Sequence, residues 1–369
     1  MTSHPPCIFG SGTGRSGGWL VTNILSVHSK IMVFMERVHF FRFVYGRYDP
    51  LTPKNVERML HHQQLRLGIR FGVAIEVEPI LQAIVERGYI TYKSCYEEIM
   101  RWLLGTTGKD IWGEYAPMQW RSIPQFLKMF PDGKVFHLYR DVRGVLASWA
   151  KMSFMSDHLY LNIIFNWIDS INHLHRYREM LPASRFHTIK FEDIADDPEG
   201  TIGRLCRFVG VEVEPQQLQP EKWPDLFDRR YVKANPSAHD GKTYYGFHRK
   251  LSENWRAALK PWQLALVEFL AREQLEAMGY VCSEQYNARD LHEGLKILTA
   301  HPLLLKNFQV LLATGEGTQT LPNDPTDPRN WSAGKGFFDK FVDTPAYAEY
   351  VSKLDAMEAA VTQKYGQAS

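Results

Sequence analysis

Three groups of residues in this chain have types and spacings suited to chemistry. Arg15 lies inside a glycine-rich run, Gly10-Ser-Gly-Thr-Gly-Arg-Ser-Gly-Gly18. Arg140 and Ser148 stand eight residues apart near the middle of the chain, and Glu36 and His39 follow a short apolar run. Glycines let backbone N–H groups turn inward, a helix start adds partial positive charge, and an arginine adds a full one. Gly12, Thr13, Gly14, Arg15, Ser16, Gly17 and Gly18, with Trp19 closing the run, therefore form a candidate cradle for an anion, above all a phosphate. No Gly-x-x-x-x-Gly-Lys-Ser/Thr can be threaded through it, so it is not a Walker A loop. Taken alone it also fits a tight strand-to-helix turn with incidental glycines. Glu36 and His39 carry the carboxylate and imidazole of a general base, though Glu36 also fits a surface pair with Arg37 or Arg42 and His39 a buried, satisfied imidazole.

The elements that position these groups are legible from apolar spacing. Cys7 to Phe9 predicts a strand entering the glycine loop, residues 16 to 28 a helix behind it, and Ile31 to Phe34 a second strand that delivers Glu36. Lys134 to Tyr139 predicts a strand that ends at Arg140, with a helix starting near Val142. Arg140 and Ser148 then face one site at the strand's carboxyl end, where open α/β sheets bind ligands. Trp120 to Met129 predicts a helix stopped by Pro131-Asp-Gly133, and Arg185 to Asp193 another strand, with a structural acidic end at Glu192-Asp193. Asp197-Pro198 starts a helix that Gly210 ends. Helical stripes at Val56, Met59, Leu60, at Ile80, Leu81, Ile84, Val85 and at Cys95, Ile99, Leu103 predict core-facing helices.

On Arg15-Ser16-Gly17-Gly18-Trp19 and Arg140-Asp141-Val142-Arg143…Ser148 the chain resembles the PAPS-dependent sulfotransferases. In that family an Arg-Ser/Thr-Gly-Thr-Thr loop holds the 5′-phosphosulfate and an Arg-Asp-Pro-Arg…Ser segment holds the 3′-phosphate. The resemblance implies a P-loop-like three-layer α/β/α fold with a central, mainly parallel sheet. It implies PAPS as donor and adenosine 3′,5′-bisphosphate as product, with Arg15 stabilising charge on the leaving 5′-phosphate and Arg140 and Ser148 selecting PAPS over ATP. Met35-Glu-Arg-Val-His-Phe-Phe41 resembles the Glu-Val-His-Phe-Phe stretch of glycosaminoglycan sulfotransferases, where the glutamate is the catalytic base, though Arg37 is inserted here. Ile111-Trp-Gly-Glu-Tyr-Ala-Pro117 resembles the Gly-Glu-Lys-Thr-Pro signature of the bacterial and tyrosylprotein-like branch. Tyr115 and Ala116 replace its lysine and threonine, so Arg15 carries that charge alone or another cation enters from elsewhere. Gly18 and Trp19 replace two hydroxyl donors, and Trp19 packs either on the purine or in the core. The Lys242 to Trp255 segment fits loosely the basic loop that closes the nucleotide in sulfotransferases, which nominates Arg249 and Lys250 as phosphate contacts. A solvated basic turn fits it as well.

Composition bounds these readings. The chain has 369 residues, 44% of them hydrophobic, ample for a large α/β domain with an appendage. A net charge of +2 gives no global field to recruit nucleic acid. Cys7, Cys95, Cys206 and Cys282 lack metal or disulfide spacing and are expected as buried thiols, and no metal site is expected. With no signal segment or apolar run of membrane length, a cytoplasmic protein is expected. We divide the chain into a PAPS-binding domain, 1–283, and a mostly helical extension, 284–369, with helices near Ala288 to Leu312 and Phe337 to Lys364. That extension is open to packing on the core, forming a homodimer or covering the acceptor site. The acceptor is expected to be a small molecule or carbohydrate, with His61, His62, Tyr92 and Trp102 as pocket candidates. A P-loop-type small-molecule kinase and a non-catalytic adenine-nucleotide-binding module remain as rival readings.

Overall fold

Five short apolar segments form one sheet: β1 (Cys7–Gly12), β2 (Ile31–Met35), β3 (Ile111–Tyr115), β4 (Lys134–Tyr139) and β5 (Phe186–Lys190). The computed structural model describes residues 7–151, 158–223, 246–320, 327–330 and 345–366. All four strand pairings are parallel, in the order β2-β3-β1-β4-β5. β1 and β3 are buried along their whole length, as strands covered on both faces must be. The chain builds outward from β1 to β2, returns to insert β3, and then crosses to β4 on the other side. The carboxyl ends of β1 and β4 thus flank a topological switch point, the place where such sheets bind ligands.

The helices, in chain order, are α1 (Gly18–Ser26), α2 (Phe40–Phe43), α3 (Pro53–Phe71), α4 (Val77–Glu86), α5 (Tyr92–Gly105), α6 (Ile123–Met129), α7 (Val142–Trp149), α8 (Asn162–Met180), α9 (Phe191–Asp196) and α10 (Pro198–Val209). They continue with α11 (Lys250–Glu253), α12 (Trp255–Ala258), α13 (Pro261–Ala277), α14 (Ala288–Ala300), α15 (Pro302–Thr314) and α16 (Pro345–Gly366). Their ends carry the expected chemistry. Asp197 caps α10 through the Gly200 N–H and Gly210 ends it in the left-handed region, while Asp141 caps α7 through the Arg143 N–H. The single helix expected over Ala288 to Leu312 is two, because Pro302 lacks an N–H and forces His301 to be extended. Residues 337–344 of the last expected helix lie outside the described residues.

One core cluster, around Phe9, Trp112, Phe126 and Trp167, fills one face of the sheet, and a second, around Val21, Ile24, Leu138 and Leu205, fills the other. This is the three-layer arrangement expected. Val85 departs from its stripe and is 42% exposed. Leu298 of α14 and Leu304 of α15 join the first cluster, so this part of the extension packs on the core. Among the described residues no helix is long and apolar enough to cross a membrane.

Candidate functional site

The glycine run turns from β1 into α1 by leaving ordinary backbone space. Arg15 has φ 72° and Gly17 φ 99°, and no side chain caps α1. A Cβ on Gly17 would stand 2.4 Å from the Phe191 ring, so neither the conformation nor the space admits another residue. Thr13 and Ser16 share a hydroxyl hydrogen bond of 2.7 Å, and the Trp149 indole donates to the Gly14 carbonyl at 3.2 Å. Backbone N–H groups at the start of an uncapped helix favour an anion.

The second cation segment meets this loop at Arg15. Arg15 Nε donates to Ser148 Oγ at 2.8 Å, and Arg140 Nη1 donates to the Arg15 carbonyl at 3.3 Å. β4 presents Arg140, α7 presents Ser148 about two turns later, and the loop reaches between them. The Arg140 guanidinium lies 4.3 Å over the Phe191 ring. Burial lowers its pKa, the Glu192 charge opposes that, and Arg15 adds to it, so the pair of arginines concentrates positive charge that an anion relieves. Arg143, in contrast, turns away. It pairs with Asp141 at 2.7 Å and Glu268 at 2.7 Å, and stacks 4.2 Å over Trp255, tying α7 to α12 and α13.

Glu36 and His39 lie at the carboxyl end of β2, on a loop held by two buried residues that the sequence reading passed over. Glu36 has φ 54° and His39 φ 51°. Both are non-glycine residues in a sparsely populated region, which persists only where the surroundings impose it. The Glu114 carboxylate imposes it from β3, accepting the N–H groups of Val38 at 2.9 Å, His39 at 2.6 Å and Phe40 at 3.4 Å, and the Tyr96 hydroxyl at 2.6 Å. Burial raises the Glu114 pKa despite those donors. From α3, Arg66 donates to the carbonyls of Glu36 at 3.1 Å and Val38 at 3.4 Å, and to that of Arg37. An acid in an apolar strand and an arginine on the core-facing stripe of a helix were the signals for these two. His39 is 4% exposed with its ring edge on Phe43, whereas Glu36 is partly exposed.

Of the remaining candidates, Tyr115 packs at the base of the loop, stacked on Phe136. Trp19 is half-buried in the first turn of α1. Arg249 is exposed and pairs with Asp196 at 3.0 Å. Lys250 opens α11, but its side chain, like residues 242–245, lies outside the described residues. His62 is buried, taking the Tyr48 hydroxyl at 2.6 Å on Nδ1 and facing Glu358 at 2.8 Å from Nε2, and the Tyr92 hydroxyl accepts the Tyr48 N–H, so both serve packing. His61 bonds Gln64 on its own helix, and Trp102 is partly buried against the core. Cys7, Cys95 and Cys206 are buried free thiols, and Cys282 is partly exposed.

Comparison with known proteins bears on the family and the fold. The model of the sulfotransferase family matches residues 6–215. Human sulfotransferase 2A1 is 28% identical over 110 residues, covering 25% of this chain and 39% of the relative. Mycobacterium tuberculosis Stf3, an omega-hydroxy-beta-dihydromenaquinone-9 sulfotransferase, is 27% identical over 100 residues, covering 24% and 26%. Human carbohydrate sulfotransferase 5 is 24% identical over 173 residues, 40% of each chain. The matched segments thus span only a quarter to two fifths of these curated relatives. Among solved structures, the sulfotransferase domain of the curacin biosynthetic pathway superposes with a TM-score of 0.53 at 17% identity, covering 76% of this chain and 99% of that one. A Synechococcus olefin synthase sulfotransferase domain gives 0.50 at 17% identity, covering 75% and 96%, and these two share the fold. With the family model covering more than half of its length, and with the parallel sheet in place, this chain belongs to the sulfotransferase family.

Proposed function

We propose that this protein transfers the sulfuryl group of PAPS to a hydroxyl, or less favourably an amine, of a small-molecule or carbohydrate acceptor. The junction at Arg15 carries the reading: one residue of the loop bonds Ser148 and accepts from Arg140. A glycine loop at a helix start accounts for one phosphate. A cation and hydroxyl joined to it from another strand and helix account for a second, separate phosphate, and PAPS has that pattern where ATP does not. Tight glycine packing against Phe191 and Trp149 leaves a cradle of backbone N–H groups that fits the donor's 5′ end.

Bound PAPS supplies an activated sulfuryl group on its 5′-phosphate. Toward it, the N–H groups of the Thr13–Gly18 loop and the start of α1 hold the 5′ oxygens, while Arg140 and Ser148 hold the 3′-phosphate. Arg15 stands between the two sets and stabilises the charge that grows on the 5′ side. Glu36 takes the acceptor proton. Its partial exposure at a strand end beside the loop favours it over His39, which is closed in against Phe43. A kinase would need a Walker lysine, and the loop has none.

Thermal-shift measurements with adenosine 3′,5′-bisphosphate, ATP and AMP test the donor, since the bisphosphate should raise the midpoint most. A larger rise with ATP would overturn the reading. Turnover of labelled PAPS in a host extract, followed by a mass-spectrometric search for products heavier by one sulfuryl group, then identifies the acceptor and separates an enzyme from a binding module.

A further inference from the structure

Tyr115 ends β3 with its ring against three glycines of the turn from β1 through the loop to α1. A Cβ on Gly10 would lie 2.7 Å from Tyr115 Cδ2, one on Gly12 would lie 3.3 Å from Oη, and one on Gly18 would lie 2.3 Å from Cε1 and 2.7 Å from Cζ. The ring therefore runs along β1, and its hydroxyl ends between Gly12 and Gly18, at the floor of the phosphate loop. The residue is 1% exposed, and its hydroxyl has no hydrogen-bond partner among the described residues. Such a group is costly to bury, and an orphan in a native protein calls for an explanation.

Packing does not supply one. The ring stacks on Phe136 at 5.9 Å and 19°, a contact that phenylalanine would make equally well. Burial and then the Glu36 charge push the pKa of this phenol up, so it keeps its proton and remains a donor. What it lacks is an acceptor. The neighbouring start of α1 offers N–H donors and partial positive charge, a setting that draws an anion into the same place. Screened from solvent, a hydrogen bond to that anion is stronger than in water.

We propose that the Tyr115 hydroxyl donates a hydrogen bond to the oxyanion seated in the Thr13–Gly18 loop, on the 5′ side of the bound nucleotide. This rests on the reading of the loop as the donor's 5′ cradle. Tyr115 is thereby a nucleotide-binding residue, and its oxygen destabilises the free protein in exchange for ligand affinity.

Tyr115→Phe removes that oxygen alone. Titration calorimetry with adenosine 3′,5′-bisphosphate should show affinity falling roughly tenfold, while adenosine 3′-monophosphate, which lacks the 5′ group, changes by less than about twofold. Without ligand, the unfolding midpoint of the variant should rise by roughly 1–3 °C, because the orphan is gone. Unchanged bisphosphate affinity, or an equal loss with both ligands, would overturn the proposal. If the wild-type chain binds neither nucleotide, the donor reading itself fails and this contact falls with it.

Discussion

At the scale of single residues, the candidate site turns on the junction of Arg15 with Ser148 and Arg140. Arg140 donates to the Arg15 carbonyl and lies over the Phe191 ring, and from there its guanidinium is proposed to reach the 3′-phosphate. A charge-assisted contact of this kind contributes about 1.5–3 kcal/mol, so Arg140→Ala should weaken adenosine 3′,5′-bisphosphate roughly ten- to 150-fold. Calorimetry checks this, and unchanged affinity in a folded variant would remove the segment from the site. Glu36 is tested differently. Glu36→Gln keeps shape and hydrogen bonding but not the proton-accepting charge, and turnover should fall about 10²–10⁴-fold with donor affinity within a few fold. Should His39→Ala cost more turnover than Glu36→Gln, the imidazole is the base.

At the scale of elements, parallel strands bring the groups that follow β1, β2, β3 and β4 to one edge of the sheet, and the loop after β2 is fixed by buried charges. Glu114 stands on β3 yet shapes the chain after β2, because parallel strands place their carboxyl ends side by side. Glu114→Gln replaces one acceptor oxygen by an amide N–H facing donors, leaving at least one of four hydrogen bonds unmade. The expected loss is about 1–3 kcal/mol, with turnover reduced more than donor affinity, measured by thermal unfolding and steady-state kinetics. On β4, His137 is fully buried and bonds Ser170 at 2.8 Å. Burial, and then the charges of His173 and Arg178, hold its pKa down to about 3. An unfolded chain takes up this proton near pH 6.5 while the native one does not, so stability falls as pH drops from about 6.5 toward 3. His137→Gln should flatten that part of a plot of unfolding midpoint against pH, and an unaltered acid limb would show that other groups govern it.

At the scale of the whole molecule, what the sequence discloses is what depends on near neighbours along the chain. β4 and the start of α7 were legible because their apolar period and the Pro131-Asp-Gly133 stop are local signals. The turn from β1 through the glycine run into α1 was legible too, since glycines between an apolar strand and an apolar helix are a local signal. The partners of Glu114, Arg66 and Tyr115 were not, because each acts across strands or helices tens of residues away. The extension was the least legible part. Its last helix has apolar positions that name no partner, and only the fold shows α16 lying on α3, with Tyr350, Leu354 and Val361 buried there.

That contact links the far end of the chain to the site. Glu358 on α16 accepts Arg58 Nε at 2.6 and 2.7 Å and faces His62 Nε2 at 2.8 Å, and Lys364 and Tyr365 reach Glu57. One turn beyond His62, the same helix presents Arg66 to the carbonyls of the Glu36 loop. Burial lowers the His62 pKa despite Glu358, so the imidazole is neutral near pH 7, with Nδ1 accepting from Tyr48 and the Nε2 proton given to Glu358. Burial pushes the Glu358 carboxyl up, but the hydrogen bonds from His62 and Arg58 outweigh this and hold it at about 2. Its stabilising effect is therefore complete above an ordinary glutamate pKa and lost as pH falls toward 2. Glu358→Gln should lower the unfolding midpoint at pH 7 by roughly 1–4 °C, and the gap from wild type should close between about pH 4.5 and 2. Because α3 carries Arg66, the same variant should also lower turnover severalfold with nucleotide affinity unchanged. A variant with a lower midpoint but wild-type turnover would show that α16 stabilises α3 without positioning the base.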